Sequence, residues 1–151
     1  MTQTSASTFV FGLAVAGRAV ATSLRERGIE VVVGDDKLTQ EHQTFAQSIG
    51  AHVVDIALDG ELQRVMKSVG MLSPAPGVPE SHDVIRCAQE NGVSIQSEIE
   101  IAYRMEHLRS GGPRPMVAIT GTDGKTTTTL MANAMLRAAG LRAEAVGNTE
   151  V

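Results

Sequence analysis

The sequence predicts an α/β chain: a parallel sheet with helices on both faces, followed by the opening of a second unit built on a phosphate loop. Three observations carry that expectation. Short apolar runs alternate with segments of helical periodicity along most of the chain, which implies βαβ units and a parallel sheet with right-handed crossovers. A helix-breaking stretch, Arg109 to Pro115 (R-S-G-G-P-R-P), interrupts the alternation and marks the expected domain boundary, with residues 1–112 before it and 113–151 after it. Beyond it, residues 120–129 read T-G-T-D-G-K-T-T-T-T between an apolar run and a helical pattern.

Each element follows in order. Thr8–Phe11 reads as the first strand and Gly17–Arg27 as a helix ended by Gly28. Ile29–Val33 reads as the second strand, with Asp35 and Asp36 at its carboxyl end. Helical patterns over about 39–49, 58–68, 80–91 and 97–108 enclose strand-like segments at 52–54, 69–72 and 93–95. After the joint, Met116, Val117, Ala118 and Ile119 are long enough for a buried strand. Leu130, Ala134, Met135 and Ala138 then recur at helical spacing until Gly140, and 142–146 reads as a last strand. Two strands and one helix cannot bury the core of a phosphate-loop domain, so the second unit is expected to be a fragment.

Composition narrows the function. The 151 residues give room for one domain and a piece of another, and a hydrophobic fraction of 42% with 20% charged residues is ordinary for a globular chain. A net charge of −4 offers no footprint for nucleic acid or an anionic membrane. No apolar stretch approaches the ~20 residues that span a bilayer, and the polar start from Met1 to Thr8 is no signal peptide. The single cysteine, Cys87, excludes an internal disulfide and fits a reducing cytoplasm, where a monomer is expected. Cys87 falls in a helical pattern with Val84 and Ile85 and reads as a packed residue. Met105 and Leu108 continue the stripe of Ile101 and read as core. His42, His52, His82 and His107 are too scattered for a metal site and read as surface imidazoles.

The run at 120–129 carries the chemistry. A glycine-rich turn between strand and helix aims unpaired N–H groups, and the positive end of the helix dipole, at one point. Gly121 and Gly124 permit the turn and a close approach of backbone to phosphate. Lys125 supplies a point charge to the β/γ-phosphates, and Thr126 a hydroxyl to the bridging magnesium ion. The full P-loop pattern asks for a further glycine where this chain has Ile119. Near the start, G-L-A-V-A-G (Gly12 to Gly17) nearly matches the dinucleotide fingerprint, and Asp35 stands where a ribose-binding acid is placed in Rossmann-like folds. Ala14 replaces the middle glycine, so this loop reads either as a nucleotide-binding loop or as a tight turn. Asp35-Asp36 reads either as part of that site or as a solvated turn.

The shortened loop G-T-x-G-K-T-T after an apolar strand resembles that of the Mur ligase superfamily, the ATP-dependent amide ligases of peptidoglycan and folylpolyglutamate synthesis. Asp123 departs from the asparagine usual there. Within the superfamily, the chain is most similar to the branch that adds D-glutamate to UDP-N-acetylmuramoyl-L-alanine, which opens with a Rossmann-like domain for the uridine nucleotide. Ser73-Pro74-Ala75-Pro76-Gly77-Val78-Pro79 resembles its S-P-G-V-P loop, Ser97-Glu98-Ile99-Glu100 its D/S-E-I-E segment, and Val146-Gly147-Asn148 the start of its G-N-I-G segment. Thr149 and Glu150 depart from the last. The likeness runs from about Phe9 to Asn148.

That resemblance implies a division of labour. ATP and Mg2+ are expected on Gly121, Thr122, Asp123, Gly124, Lys125, Thr126 and Thr127, with Lys125 acting on the reacting phosphoryl group and Thr126 on the metal. UDP-N-acetylmuramoyl-L-alanine is expected on Val15, Ala16, Asp35, Asp36, Lys37, Pro76, Gly77 and Asn148. Asp35 can accept from a ribose hydroxyl or the uracil N3–H, and Lys37 can neutralise the pyrophosphate. The implied reaction activates the substrate carboxylate as an acyl phosphate, which the amine of D-glutamate attacks. In such ligases the second magnesium and D-glutamate are held by parts not matched by residues 1–151. The chain is therefore expected to bind and not to catalyse. An L-alanine-adding or other Mur ligase, a dehydrogenase-like dinucleotide binder and a regulatory module are the other classes compatible with these motifs.

Overall fold

The computed structural model describes residues 7–147. The chain divides into two compact units, Met1–Gly112 and Pro113–Val151, and the division falls inside the Gly/Pro-rich joint.

In the first unit, five strands form one parallel sheet: β1 (Thr8–Phe11), β2 (Val31–Gly34), β3 (His52–Val53), β4 (Met71–Pro74) and β5 (Ser94–Ile95). Their order is β3-β2-β1-β4-β5. The first strand is therefore central, paired in register Phe9↔Val32 on one side and Phe9↔Leu72 on the other. Helices α1 (Val15–Glu26), α2 (Gln40–Ile49), α3 (Glu61–Ser68), α4 (Asp83–Glu90) and α5 (Glu98–His107) join or follow the strands. Alternation along β1 sends its side chains to opposite faces, and each face is buried. Phe9, Phe11 and Leu72 pack with Val65 and Met66 of α3 and with Val84, Ile85 and Cys87 of α4. Val10, Val31 and Val33 pack with Val20, Ala21 and Leu24 of α1, Ala46 of α2 and Ile101 of α5.

Local signals set the helix ends. Thr39 accepts the His42 N–H (3.2 Å) to start α2, and Gly50 closes it at φ 65°. Ser97 accepts the Glu100 N–H (3.2 Å) to start α5, so the S-E-I-E segment is a helix cap. Pro74 can occupy the end of a central strand because β5 pairs only with Met71 and Leu72, leaving no partner for the N–H that proline lacks.

Several expected boundaries move. Helix α1 begins at Val15 rather than Gly17, and β2 and β4 each run further toward their carboxyl ends than the apolar runs suggest. The helical pattern from 58 becomes helix only at Glu61. Leu108 is not core: it follows the last turn of α5 and is 85% exposed.

In the second unit, α6 (Lys125–Ala138) forms as the periodicity predicts. The strands expected at 116–119 and 142–146 do not form among the described residues. A parallel strand exists through its neighbours' N–H and C=O groups, and neither run has a paired neighbour. Val117 is accordingly 77% exposed, and α6 has no buried residue.

Candidate functional site

A sheet that winds outward in both directions from β1 has its switch point between β1 and β4, and ligands of such folds bind outside the carboxyl ends of the strands there. A shallow crevice occupies that place. Ala16, Gly17 and Val20 form one wall, Ser73, Pro74, Ala75 and Pro76 the other, and Glu98 lies at its end.

The walls are held close by backbone contacts that only small residues permit. Ala75 donates its N–H to the Phe11 carbonyl (2.7 Å), and Gly12 donates to the Gly34 carbonyl (2.9 Å). Gly12 has φ 92°, and a Cβ built on it would lie 2.6 Å from the Cβ of Ala75. A Cβ on Gly17 would lie 1.8 Å from the Gly12 carbonyl oxygen. The two outer glycines of the G-L-A-V-A-G loop thus serve close packing of turn, helix and neighbouring loop.

Asp35 fixes the same loop. Its Oδ2 accepts the Leu13 N–H at 2.7 Å and its Oδ1 the Lys37 N–H at 3.3 Å. The carboxylate expected to face a ribose or uracil is therefore engaged in shaping the turn, with its remaining lone pairs as its capacity for ligand. Arg18 holds the other end of the turn: its Nε donates to the Leu13 carbonyl (2.8 Å) while its Nη1 pairs with Glu41 (2.7 Å). Asp36 turns the other way and meets Nε2 of His82 at 3.0 Å.

Of the residues expected at the uridine end, the structure brings Val15, Ala16, Asp35, Asp36, Lys37, Pro76 and Gly77 to this one edge of the sheet. Val15 opens α1 and is 88% exposed. Pro76 and Gly77 form the turn closed by the Val78 N–H and the Ala75 carbonyl (3.0 Å). Asn148 lies outside the described residues. Sequence reasoning missed Arg18 and His82. Arg18 sits among ordinary helix residues, and His82 reads in sequence as one of four surface imidazoles, although its ring tilts against Phe11 at 5.1 Å.

The phosphate loop of the second unit has its own geometry. Gly124, at φ 75°, is the N-cap of α6 and brings no side chain to the first N–H groups of the helix. The helix ladder begins with the Thr128 N–H on the Gly124 carbonyl (2.9 Å). Lys125 reaches back over the loop, its Nζ donating to the carbonyls of Gly121 (2.5 Å) and Thr122 (3.0 Å). Thr129 bonds its own helix, at the Lys125 carbonyl (2.8 Å), and so is not a candidate ligand. The loop offers what a magnesium-bound triphosphate requires: helix-terminal N–H donors, an ammonium and the Thr126 hydroxyl. Among the described residues, no group of three or more His, Cys, Asp or Glu could hold a metal ion, and no helix is long and apolar enough to cross a membrane.

Comparison with known proteins points to one class. In solved structures, the fold matches a murein peptide ligase from Psychrobacter arcticus 273-4, with TM-score 0.58 and 22% identity over 89% of this chain and 27% of that one. It also matches the UDP-N-acetylmuramate:L-alanyl-gamma-D-glutamyl-meso-diaminopimelate ligase of Neisseria meningitides, with TM-score 0.56 and 20% identity over 89% of this chain and 40% of that one. Both share the fold of the chain, and both are ligases by name. In sequence, the chain is 34% identical over 129 residues to the UDP-N-acetylmuramoylalanine--D-glutamate ligases of Bacillus thuringiensis (strain Al Hakam) and Bacillus cereus (strain B4264). That alignment covers 85% of this chain and 27% of each relative, so the chain spans about a quarter of the length of the curated proteins it matches. No protein-family model matches the chain. By sequence, the chain resembles about a quarter of these UDP-N-acetylmuramoylalanine--D-glutamate ligases, and its fold is that found in the two solved ligases.

Proposed function

We propose that the first unit binds UDP-N-acetylmuramoyl-L-alanine in the switch-point crevice. In the same reading, Gly121–Thr127 hold the phosphates of ATP and Mg2+. The whole would be part of a peptidoglycan ligase that joins D-glutamate to the nucleotide's alanyl carboxylate through an acyl phosphate. The observation that carries this reading is the convergence of three loops, 12–16, 35–37 and 75–77, on one edge of the sheet at its switch point. There the exposed Val15 offers an apolar surface for a pyrimidine ring, and turn amides and Lys37 offer donors for carbonyls and phosphate oxygens.

On the second unit, bound ATP supplies the activating phosphoryl group. The chain's own part is electrostatic. Lys125 and the amides ahead of α6 neutralise charge that grows on the phosphoryl oxygens, and Thr126 helps to hold the metal. Lys125 must leave the carbonyls of Gly121 and Thr122 to do so, exchanging two neutral acceptors for anionic ones.

Titration of the 15N-labelled chain followed by NMR tests both halves. UDP-N-acetylmuramoyl-L-alanine is expected to shift amides of 12–17, 35–37 and 75–77, and MgATP those of 121–127. Amides in the first three loops that stay still at millimolar nucleotide would overturn the assignment of the crevice.

A further inference from the structure

We infer that His82 is a positioning residue of the crevice, a clamp that ties the loop after β2 to the loop after β4; the inference rests on reading the crevice as the uridine nucleotide site. One imidazole, carried at the end of the loop after β4, meets the end of β1, the first turn of α4 and the loop after β2. Its ring leans on Phe11, the last residue of β1, with centroids 5.1 Å apart and planes at 46°. Its Nδ1 faces the Val84 N–H at 3.1 Å and caps α4. Its Nε2 stands 3.0 Å from Oδ1 of Asp36.

These contacts fix the proton. An N–H aimed at Nδ1 requires that nitrogen to be an acceptor, so the ring proton sits on Nε2 and is donated to the Asp36 carboxylate. They also explain the residue type. Serine, threonine, asparagine and aspartate are the usual helix caps, and any of them would satisfy Val84. None is long enough to cap α4 and also reach a loop beyond the end of β1. Histidine has one nitrogen for each task. The side chain is 20% exposed against 64% for Asp36, so the less mobile partner is the ring, and the carboxylate is the part held in place.

The two adjacent carboxylates after β2 then have complementary duties. Asp35 fastens the loop after β1 through the Leu13 N–H, and Asp36, through His82, fastens the loop after β4. A ligand lying across the switch point meets donors from all three loops, so an error in their spacing weakens every contact at once.

The test compares His82→Asn, which keeps a cap for α4 but cannot reach Asp36, with His82→Ala, which loses both, in the 151-residue chain. Calorimetric titration with UDP-N-acetylmuramoyl-L-alanine is expected to show His82→Asn weakened about 3- to 10-fold while its urea midpoint stays near wild type. His82→Ala is expected to lose affinity and stability together. In an Asp36→Ala background, His82→Asn is expected to change affinity by less than about twofold, because the pair is already broken. Without ligand, the imidazole 15N spectrum of the wild-type chain should show the proton on Nε2, and His82→Asn should shift the amides of Asp36 and Lys37. Affinity unchanged in His82→Asn, an equal loss with and without the Asp36 carboxylate, or a proton on Nδ1 overturns the clamp. Failure of the wild-type chain to bind the nucleotide overturns the crevice assignment instead, and the ligand-free spectra still decide the clamp. If His82→Asn does not fold, the wild-type imidazole spectrum and the affinity of Asp36→Ala decide it.

Discussion

Gly17 shows how little freedom the crevice leaves to a single residue. A methyl group there would meet a backbone carbonyl, not a flexible side chain, so relief requires the first loop and α1 to part. Gly17→Ala is expected to cost about 2–3 kcal/mol, read as a lower urea midpoint, and to shift the amides of 12–14. Cys87 gives a second residue-scale prediction. Burial pushes its thiol above the ordinary range, with the Glu90 carboxylate adding to the rise and the Asn91 amide and Lys67 ammonium opposing it. Its contribution to stability is complete below the unfolded thiol value, where both states are protonated. As pH rises past that value, the unfolded chain ionises first, and the folded state loses ground until the buried thiol also ionises. The urea midpoint of the wild type should therefore fall more steeply than that of Cys87→Ala between about pH 8 and 10. Packing of Cys87 was legible from its helical neighbours. The role of His82 was not, because Phe11 and Asp36 lie far from it in sequence and only folding brings them to its ring.

Elements were legible where local chemistry and tertiary packing agree. The α2 segment carries its own cap and its own terminating glycine, and the structure reproduces it nearly to the residue. The runs at 116–119 and 142–146 are apolar enough for strands, yet a strand depends on the pairing that the surrounding sheet provides, and apolarity cannot report it. Helix α6 needs no such partner for its backbone, so it forms, although its apolar side chains stay outside. The energetic contrast between elements is measurable. Leu72→Ala, in a fully buried position of β4, is expected to cost about 2–5 kcal/mol in the 151-residue chain. Met135→Ala, at an exposed position of α6, is expected to change stability by less than about 0.5 kcal/mol. Equal losses in the two variants would mean that the face of α6 is covered in solution.

On the scale of the whole molecule, the two units differ in what holds them. The sheet buries both of its faces, whereas described residues 113–147 hold one helix with no buried side chain. Amide hydrogen exchange is expected to be much slower in β1, β2 and β4 than in α6, since opening α6 exposes almost nothing that water does not already reach. Exchange in α6 as slow as in the central strands would contradict that difference. The centrality of β1 has another consequence, which concerns the order in which the polypeptide is made. Of the five strands, β1 leaves the ribosome first, but one of its edges waits for β4, and the half-sheet of β1, β2 and β3 must persist with that edge open and the Phe9–Phe11 face covered only by α3. During this interval the nascent chain is most exposed to mispairing with other strands and most in need of chaperone cover. The edge of β1 closes when Met71–Pro74 emerges, and the Phe9–Phe11 face is complete only when α4 follows with Val84, Ile85 and Cys87.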